Sequence, residues 1–369
     1  MHIHSALGGL GVLLSRLVGK VSRGPAVVLG EGGFSVLDAL TLSLLVVVVL
    51  AIIFDYINGA IDSANAIATS VATRALRPRT AVLMAAAFNF IGAFAGTAVA
   101  KTIGAGLVDV QTTTELVVAA ALIGAIAWNL VTWWFGIPSS ASHALIGGLL
   151  GATIVAAGVG ALKIDGIVDK VLIPMFTSPL AGFVLGLLFM VLLARVFFRA
   201  PRRPMSRVFR RAQVFSAGYM AFAHGSNDAQ KTMGMITLAL FAAGVISDIT
   251  VPVWVIVVAA TAISLGTATG GWRIMKTMGQ RVVKLEPVHG FAAETTAASV
   301  LVGTAAMGMP VSTTHVISSG VAGVGTSKGT RSVRWGLART IVVAWILTIP
   351  AAALVGAGAW LALSAMGLG

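Results

Sequence analysis

Gly136-Ile137-Pro138-Ser139-Ser140-Ala141-Ser142-His143 and Gly308-Met309-Pro310-Val311-Ser312-Thr313-Thr314-His315 are two versions of one segment. Upstream of each stands a second matched pair, Gly59-Ala60-Ile61-Asp62-Ser63-Ala64-Asn65 and Gly225-Ser226-Asn227-Asp228-Ala229-Gln230-Lys231. Asp62 and Asp228 are 166 residues apart and Pro138 and Pro310 are 172 apart, so the segments recur in one order at nearly one spacing. The chain is therefore a duplication. Its two copies each place polar breaks inside very apolar sequence, and matched breaks of this kind point to a secondary transporter with its site between the repeats.

The composition puts the chain in a membrane. Of 369 residues, 57% are hydrophobic and only 10% charged, where soluble domains carry about a quarter charged residues. Mean hydropathy is +0.97. Apolar runs recur at Val36–Phe54, Ala81–Ala100, Leu116–Phe135, Ile173–Phe198, Val251–Gly266 and Thr340–Leu363, most of them near the roughly 20 residues that cross a bilayer as helix. They lack the alternation of barrel strands, so the fold class is all-α. Cysteine is absent, which excludes disulfide and thiol chemistry. The net charge of +13 is carried in short loops between the runs and reads as a topology signal rather than a nucleic-acid surface. No cofactor is called for. The reading divides the chain into a Gly-rich N-terminal extension (1–34), a first transmembrane repeat (35–198), a basic cytoplasmic loop (199–211) and a second repeat (212–369).

Loop charges set the expected orientation. Arg74, Arg77 and Arg79 form one basic loop, and Arg199, Arg202, Arg203, Arg207, Arg210 and Arg211 the strongest. Lys276, Arg281 and Lys284 form a third, and Lys328, Arg331 and Arg334 a fourth. The positive-inside rule places all four in the cytoplasm. The stretches 102–115 and 241–250 have no basic residue and 161–170 is balanced, so these lie outside. Equivalent loops of the two halves then fall on opposite sides. The repeats are expected to be inverted in topology, with both chain ends outside, in a multi-pass plasma-membrane protein. The sequence leaves room for a homodimer.

By the same assignment 116–160 and 290–325 each enter and leave on one side, as re-entrant helical hairpins broken at Pro138 and Pro310. A helix restarting after each proline leaves free N–H groups and a positive helix end at membrane depth, a ready anion site. Ser139, Ser140, Ser142, Ser312, Thr313 and Thr314 add hydroxyl donors. The alternative is that they only let helices pack closely. Asp62 and Asp228 are acids in apolar surroundings, costly at about 2.5–3.5 kcal/mol each on insertion scales and hence functional candidates. Asn65 shares a helix face with Asp62, and oxygen ligands suit a hard cation. Gly59 and Gly225 are expected to let their helices break. An acid capping a half-helix is the plainer reading.

With these residues in view, the chain resembles the inorganic phosphate transporter family, the Pit type. The resemblance rests on Phe54-Asp55-Tyr56-Ile57-Asn58-Gly59, on Asp62…Asn65-Ala66-Ile67-Ala68-Thr69, on Arg74-Ala75-Leu76, on His224-Gly225-Ser226-Asn227-Asp228 and on both Pro-Ser…His segments, across roughly residues 45–325. It implies uptake of inorganic phosphate driven by Na⁺ or H⁺. It also implies that Asp62, Asn65, Asn227 and Asp228 bind the cation or couple the proton, and that the Ser/Thr set binds the anion. Two departures stand out. Ile61 replaces a polar residue common in the family, and Gln230-Lys231 stands where many members repeat Ala-Asn. Lys231, the counterpart of Asn65, could replace a cation, pair with Asp228 or touch the anion, and Gln230 joins it as a substrate-binding candidate. Members with Gln-Lys are generally taken as proton-linked, some carrying phosphate as a metal complex, which leans the coupling to H⁺.

His143, His315 and Glu294 are accessory candidates, as proton carriers or as props for the hairpins. Glu115 is expected at the outer interface. Trp128, Trp133 and Trp134 read as packing or interface anchors. Sulfate, or a metal–phosphate complex, is the nearest rival substrate. An intramembrane aspartyl protease is the rival from another class; its chemistry needs two carboxylates sharing a proton, whereas the sequence puts Lys231 near Asp228.

Overall fold

A backbone in lipid has to bond within its own segment, so long apolar runs become helices. The computed structural model describes residues 33–137, 139–270 and 285–368. Expectations placed on residues 1–32, on Pro138 and on Lys276, Arg281 and Lys284 lie outside that set. By internal contacts the chain divides into Met1–Leu42 and Ser43–Gly369, and the described end of the first unit, residues 33–42, is the start of a helix.

That helix is α1 (Gly33–Ala72). It is followed by α2 (Pro78–Gly92), a single turn α3 (Ala98–Lys101), α4 (Glu115–Trp134) and α5 (Ala141–Ala157). A short α6 (Ile164–Ile167) leads into α7 (Ile173–Val196). The second half holds α8 (Arg202–Ala242), α9 (Val253–Thr269), α10 (Pro287–Ala306), α11 (Thr313–Thr326) and α12 (Trp335–Ala365). Among the described residues, four stretches are long and apolar enough to cross a membrane: Leu42–Ala72, Glu115–Trp134, Ile164–Val196 and Ile341–Ala365. The protein is a multi-pass helical membrane protein.

Three expectations change. α1 and α8 run without a break through Gly59 and Gly225. The glycines serve close approach instead: a Cβ on Gly59 would lie 2.2 Å from the Ile263 carbonyl oxygen, and one on Gly225 would lie 2.2 Å from that of Asn89. Asp62 and Asp228 are consequently mid-helix and cap nothing. The run 81–100 is not one helix; α2 stops at Gly92, turns through 93–97 and restarts at Ala98. Within the expected basic loop 199–211, residues 202–211 are already the opening turns of α8.

The real breaks are at the two Pro-Ser segments. Gly136 (φ 65°) and Gly308 (φ 67°) take the left-handed conformation that ends a helix cheaply only with glycine. Beyond each, a backbone N–H closes the helix end: Ile137 donates to the Thr132 carbonyl and Met309 to that of Thr304, both at 2.9 Å. α5 then turns back along α4, and α11 along α10.

Two apolar cores flank a polar layer. One gathers Val47, Phe54, Leu122, Leu145, Met233, Leu238 and Ile263. The other gathers Ile67, Met220, Leu301, Val316 and Ile317. The first takes the N-terminal half of α1 with the C-terminal half of α8, the second the reverse, so the two long helices run antiparallel. Residues 58–65 and 224–231 lie between the cores.

Candidate functional site

α1 and α8 meet the two hairpin tips through polar side chains, and these are shut from water. Asp62, Asn65, Asn227, Asp228 and Lys231 are all buried, as are Ser139, Ser140, Ser142, Ser312, Thr313 and Thr314.

The hairpin tips are built alike. Ser140 Oγ accepts from the His143 N–H at 3.2 Å, and Ser312 Oγ accepts from the His315 N–H at 3.3 Å. These two serines are thus N-caps of α5 and α11. The helix ends face each other, with His143 and His315 rings edge to face at 4.6 Å and His315 stacked on Trp345 at 3.9 Å. Two positive helix ends and their first-turn N–H groups therefore converge beside the polar layer, an arrangement suited to an anion.

Each tip reaches a different long helix. Thr314 Oγ1 lies 3.3 Å from Asp62 Oδ1 and accepts from Asn65 Nδ2 at 2.9 Å. On the other side Lys231 Nζ donates to Ser142 Oγ, to Asp228 Oδ1 and, at 3.1 Å, to the Val311 carbonyl. Thr313 donates to Asp228 Oδ1 at 3.1 Å. Ser142 is the duplicate of Thr314 and Lys231 of Asn65, so the Lys231–Ser142 and Asn65–Thr314 bonds are counterparts. An ammonium stands in one half where an amide stands in the other. Asn65 Oδ1 and both side-chain polar atoms of Asn227 are buried without a hydrogen-bond partner among the described residues.

Not every candidate joins this group. Ser139 donates to Thr132 Oγ1 at 2.7 Å, inside its own hairpin. Gln230 turns to α3, where its Oε1 accepts from the Val99 N–H at 2.8 Å and caps that short helix. Glu294 forms a separate buried cluster, accepting from Thr69, from Ser216 and from Gln213 Nε2 at 3.1 Å. Thr73 donates to Gln213 Oε1 at 2.7 Å and extends it. Glu115 accepts from Ser43 in an exposed pair. Trp134 is exposed, and Trp128 and Trp133 pack against the two cores.

His224 carried no role in the sequence reading and belongs to the centre. Asp62, His224 and Asp228 each offer one ligand atom within 4.8 Å of the others. His224 Nε2 lies 3.1 Å from Asp228 Oδ2, and Nδ1 is 3.0 Å from Asn89 Oδ1. Asn89 in turn donates through Nδ2 to Thr267 Oγ1 at 2.7 Å, which orients its oxygen toward the imidazole. Nδ1 must therefore be the donor. Nε2 then either carries a second proton toward Asp228 or presents a lone pair to a cation held by the two aspartates. The signal in the sequence was His224 spaced four before Asp228 on one helix face. Asn89 could not have been found that way, because it comes from a different helix.

Two buried helix ends converging beside a carboxylate pair, inside a multi-pass helical protein, suit a membrane transporter of charged solutes. Residues 58–356 match the phosphate transporter family. A "Probable low-affinity inorganic phosphate transporter" of Bacillus subtilis (strain 168) is 44% identical over 331 residues, covering 89% of this chain and 99% of the relative. One of the same description from Rhizobium meliloti (strain 1021) is 48% identical over 312 residues, 84% and 93% of the two chains. A solved structure described as "The sodium-dependent phosphate transporter" superposes with a TM-score of 0.79 at 25% identity, covering 87% of this chain and 99% of the other. The chain belongs to the phosphate transporter family, whose members are transporters and not enzymes.

Proposed function

We propose that the chain imports inorganic phosphate by symport, binding the anion where the N-termini of α5 and α11 meet. The observation that carries this is the converging pair of capped helix ends beside Asp62 and Asp228. First-turn N–H groups with Ser142, Thr313 and Thr314 hydroxyls bind the oxyanion, and Lys231 contributes charge. Asp62, Asn65, Asn227 and Asp228 hold the coupling cation or proton, and His224 serves the same centre. Glu294 and the two histidines are accessory.

In this reading 35–198 and 212–369 are inverted repeats and α4–α5 and α10–α11 are re-entrant hairpins. Matched contacts support it: the Gly59–Ile263 and Gly225–Asn89 approaches are counterparts, as are those of Gly266 with Tyr56 and Gly92 with Phe222. The arginine-rich ends of α2 and α8 face the cytoplasm of the plasma-membrane protein and both termini lie outside.

Lys231 favours H⁺ as the coupling ion, since a fixed ammonium beside Asp228 repels a second cation strongly in a site of low dielectric. The neighbour's description as sodium-dependent favours Na⁺. Phosphate uptake into proteoliposomes, with Na⁺ or pH gradients imposed one at a time, separates them. Uptake that ignores both gradients overturns symport, and sulfate competing as well as unlabelled phosphate overturns the substrate.

A further inference from the structure

One groove on the outer wall is shaped as well as apolar. It lies between α2 and α8, encloses about 370 Å³ and is walled by Met84, Phe88, Phe215, Gly218, Tyr219 and Phe222. Gly218 keeps it open, since a Cβ there would meet the Phe88 ring at 3.3 Å. Phe215 stands 79% exposed at its edge.

The same face of α8 is cationic just before it is aromatic. Arg207, Arg211, Phe215, Gly218 and Phe222 follow one another at helical spacing. α2 runs parallel to α8: Met84 and Phe88 lie against 214–222, and farther along Val99 bonds Gln230. Pro78 and Arg211 lie equally far before the Gly92–Gly225 crossing, so Arg77 and Arg79 at the start of α2 sit level with the arginines of α8. All four side chains are exposed, and none pairs with an acid among the described residues. Arg211 to Phe222 spans about 16 Å of helix, the depth of one leaflet of a hydrocarbon core about 30 Å thick.

We propose that this groove is a binding site for an anionic phospholipid of the leaflet at the arginine end. One acyl chain lies against the aromatic walls, and the headgroup phosphate lies among Arg77, Arg79, Arg207 and Arg211. Guanidinium forks match phosphate oxygens in pairs, and basic clusters beside membrane helices attract anionic lipid. A zwitterionic lipid fills the groove and offers the same phosphate, but its ammonium cancels the net charge that would neutralise the cationic cluster. A second copy docked on this face by two-fold symmetry would set arginine against arginine.

The test is native mass spectrometry of the purified full chain in detergent, titrated with palmitoyl-oleoyl phosphatidylglycerol or the matching phosphatidylcholine. The wild type is expected to retain the phosphatidylglycerol about tenfold more tightly than the phosphatidylcholine. The double variant Arg207→Gln/Arg211→Gln is expected to lose most of that preference while still holding both lipids weakly. Phe215→Ala is expected to weaken retention of both alike. The substituted side chains are exposed, so unchanged melting temperatures are expected throughout. Equal retention of the two lipids by the wild type overturns the proposal. So does an undiminished preference in the arginine variant, or a dimer that Phe215→Ala dissociates. None of these readouts depends on phosphate transport.

Discussion

Replacing Lys231 by Asn removes a buried ammonium that donates to Asp228, Ser142 and the Val311 carbonyl. Removing one partner of a buried ion pair costs about 3–5 kcal/mol, because the other charge stays behind uncompensated. Asp228 keeps Thr313 and the nearby His224, which puts the cost toward the lower figure. A small cation entering the vacated space would offset it, and at a hundred times its Kd would return about 2.7 kcal/mol. Lys231→Asn is therefore expected to melt several degrees lower than wild type in Na⁺-free buffer and to recover most of the loss as Na⁺ is added. The wild type, with its ammonium in place, is expected to melt alike in both buffers. In proteoliposomes the variant should lose about tenfold or more of pH-driven phosphate uptake, equivalent to about 1.4 kcal/mol, and gain a response to an imposed Na⁺ gradient. A variant that melts identically with and without Na⁺ and keeps the wild-type response to pH would refute the idea that the ammonium stands in for a cation.

Asp62→Asn and Asp228→Asn should each abolish gradient-driven uptake, since each removes a charge that balances the driving ion, and Asp228→Asn, which strands the Lys231 ammonium, should also melt several degrees below wild type; concentrative uptake at the wild-type rate would remove that residue from the coupling site. Ser140→Ala with Thr313→Ala should weaken phosphate affinity about tenfold or more, through a lost cap that orients the α5 end and a lost hydroxyl beside Asp228; unchanged affinity in a binding assay would mean the hydroxyls only pack helices. Gly225→Ala should lower the melting temperature and surface expression sharply, because its Cβ would stand 2.2 Å from the Asn89 carbonyl oxygen and force α2 and α8 apart; a variant of wild-type stability would show that the crossing is loose. Alanine in place of Gly336, which has open space around its missing side chain, is the matched control and should melt like the wild type.

Much of this protein is legible along the chain. Membrane residence follows from runs too apolar to live in water, and the duplication from two Pro-Ser…His segments and two Asp motifs in one order. Helix ends at 135–140 and 307–312 were readable because a left-handed glycine and a capping serine are local devices, set by neighbouring backbone. The same local logic failed at Gly59 and Gly225. A glycine that breaks a helix and one that lets a second backbone approach look alike in sequence, and only the position of α9 and α2 tells them apart. Gln230 is adjacent to Lys231, yet adjacent positions on a helix point about 100° apart, and α3 claims it; Ser139 lies before α5 begins and bonds back to Thr132 of α4. Asn89 behind His224 and the Thr69–Gln213–Ser216 shell around Glu294 were beyond reach for the opposite reason: their partners are distant in the chain and meet only when α1, α2, α8 and α10 pack. The sequence by itself determined which residues are too costly to bury without purpose. The tertiary structure decided which of them share a site, because a buried polar side chain takes its partner from whatever element packs against it, and no local rule specifies that element.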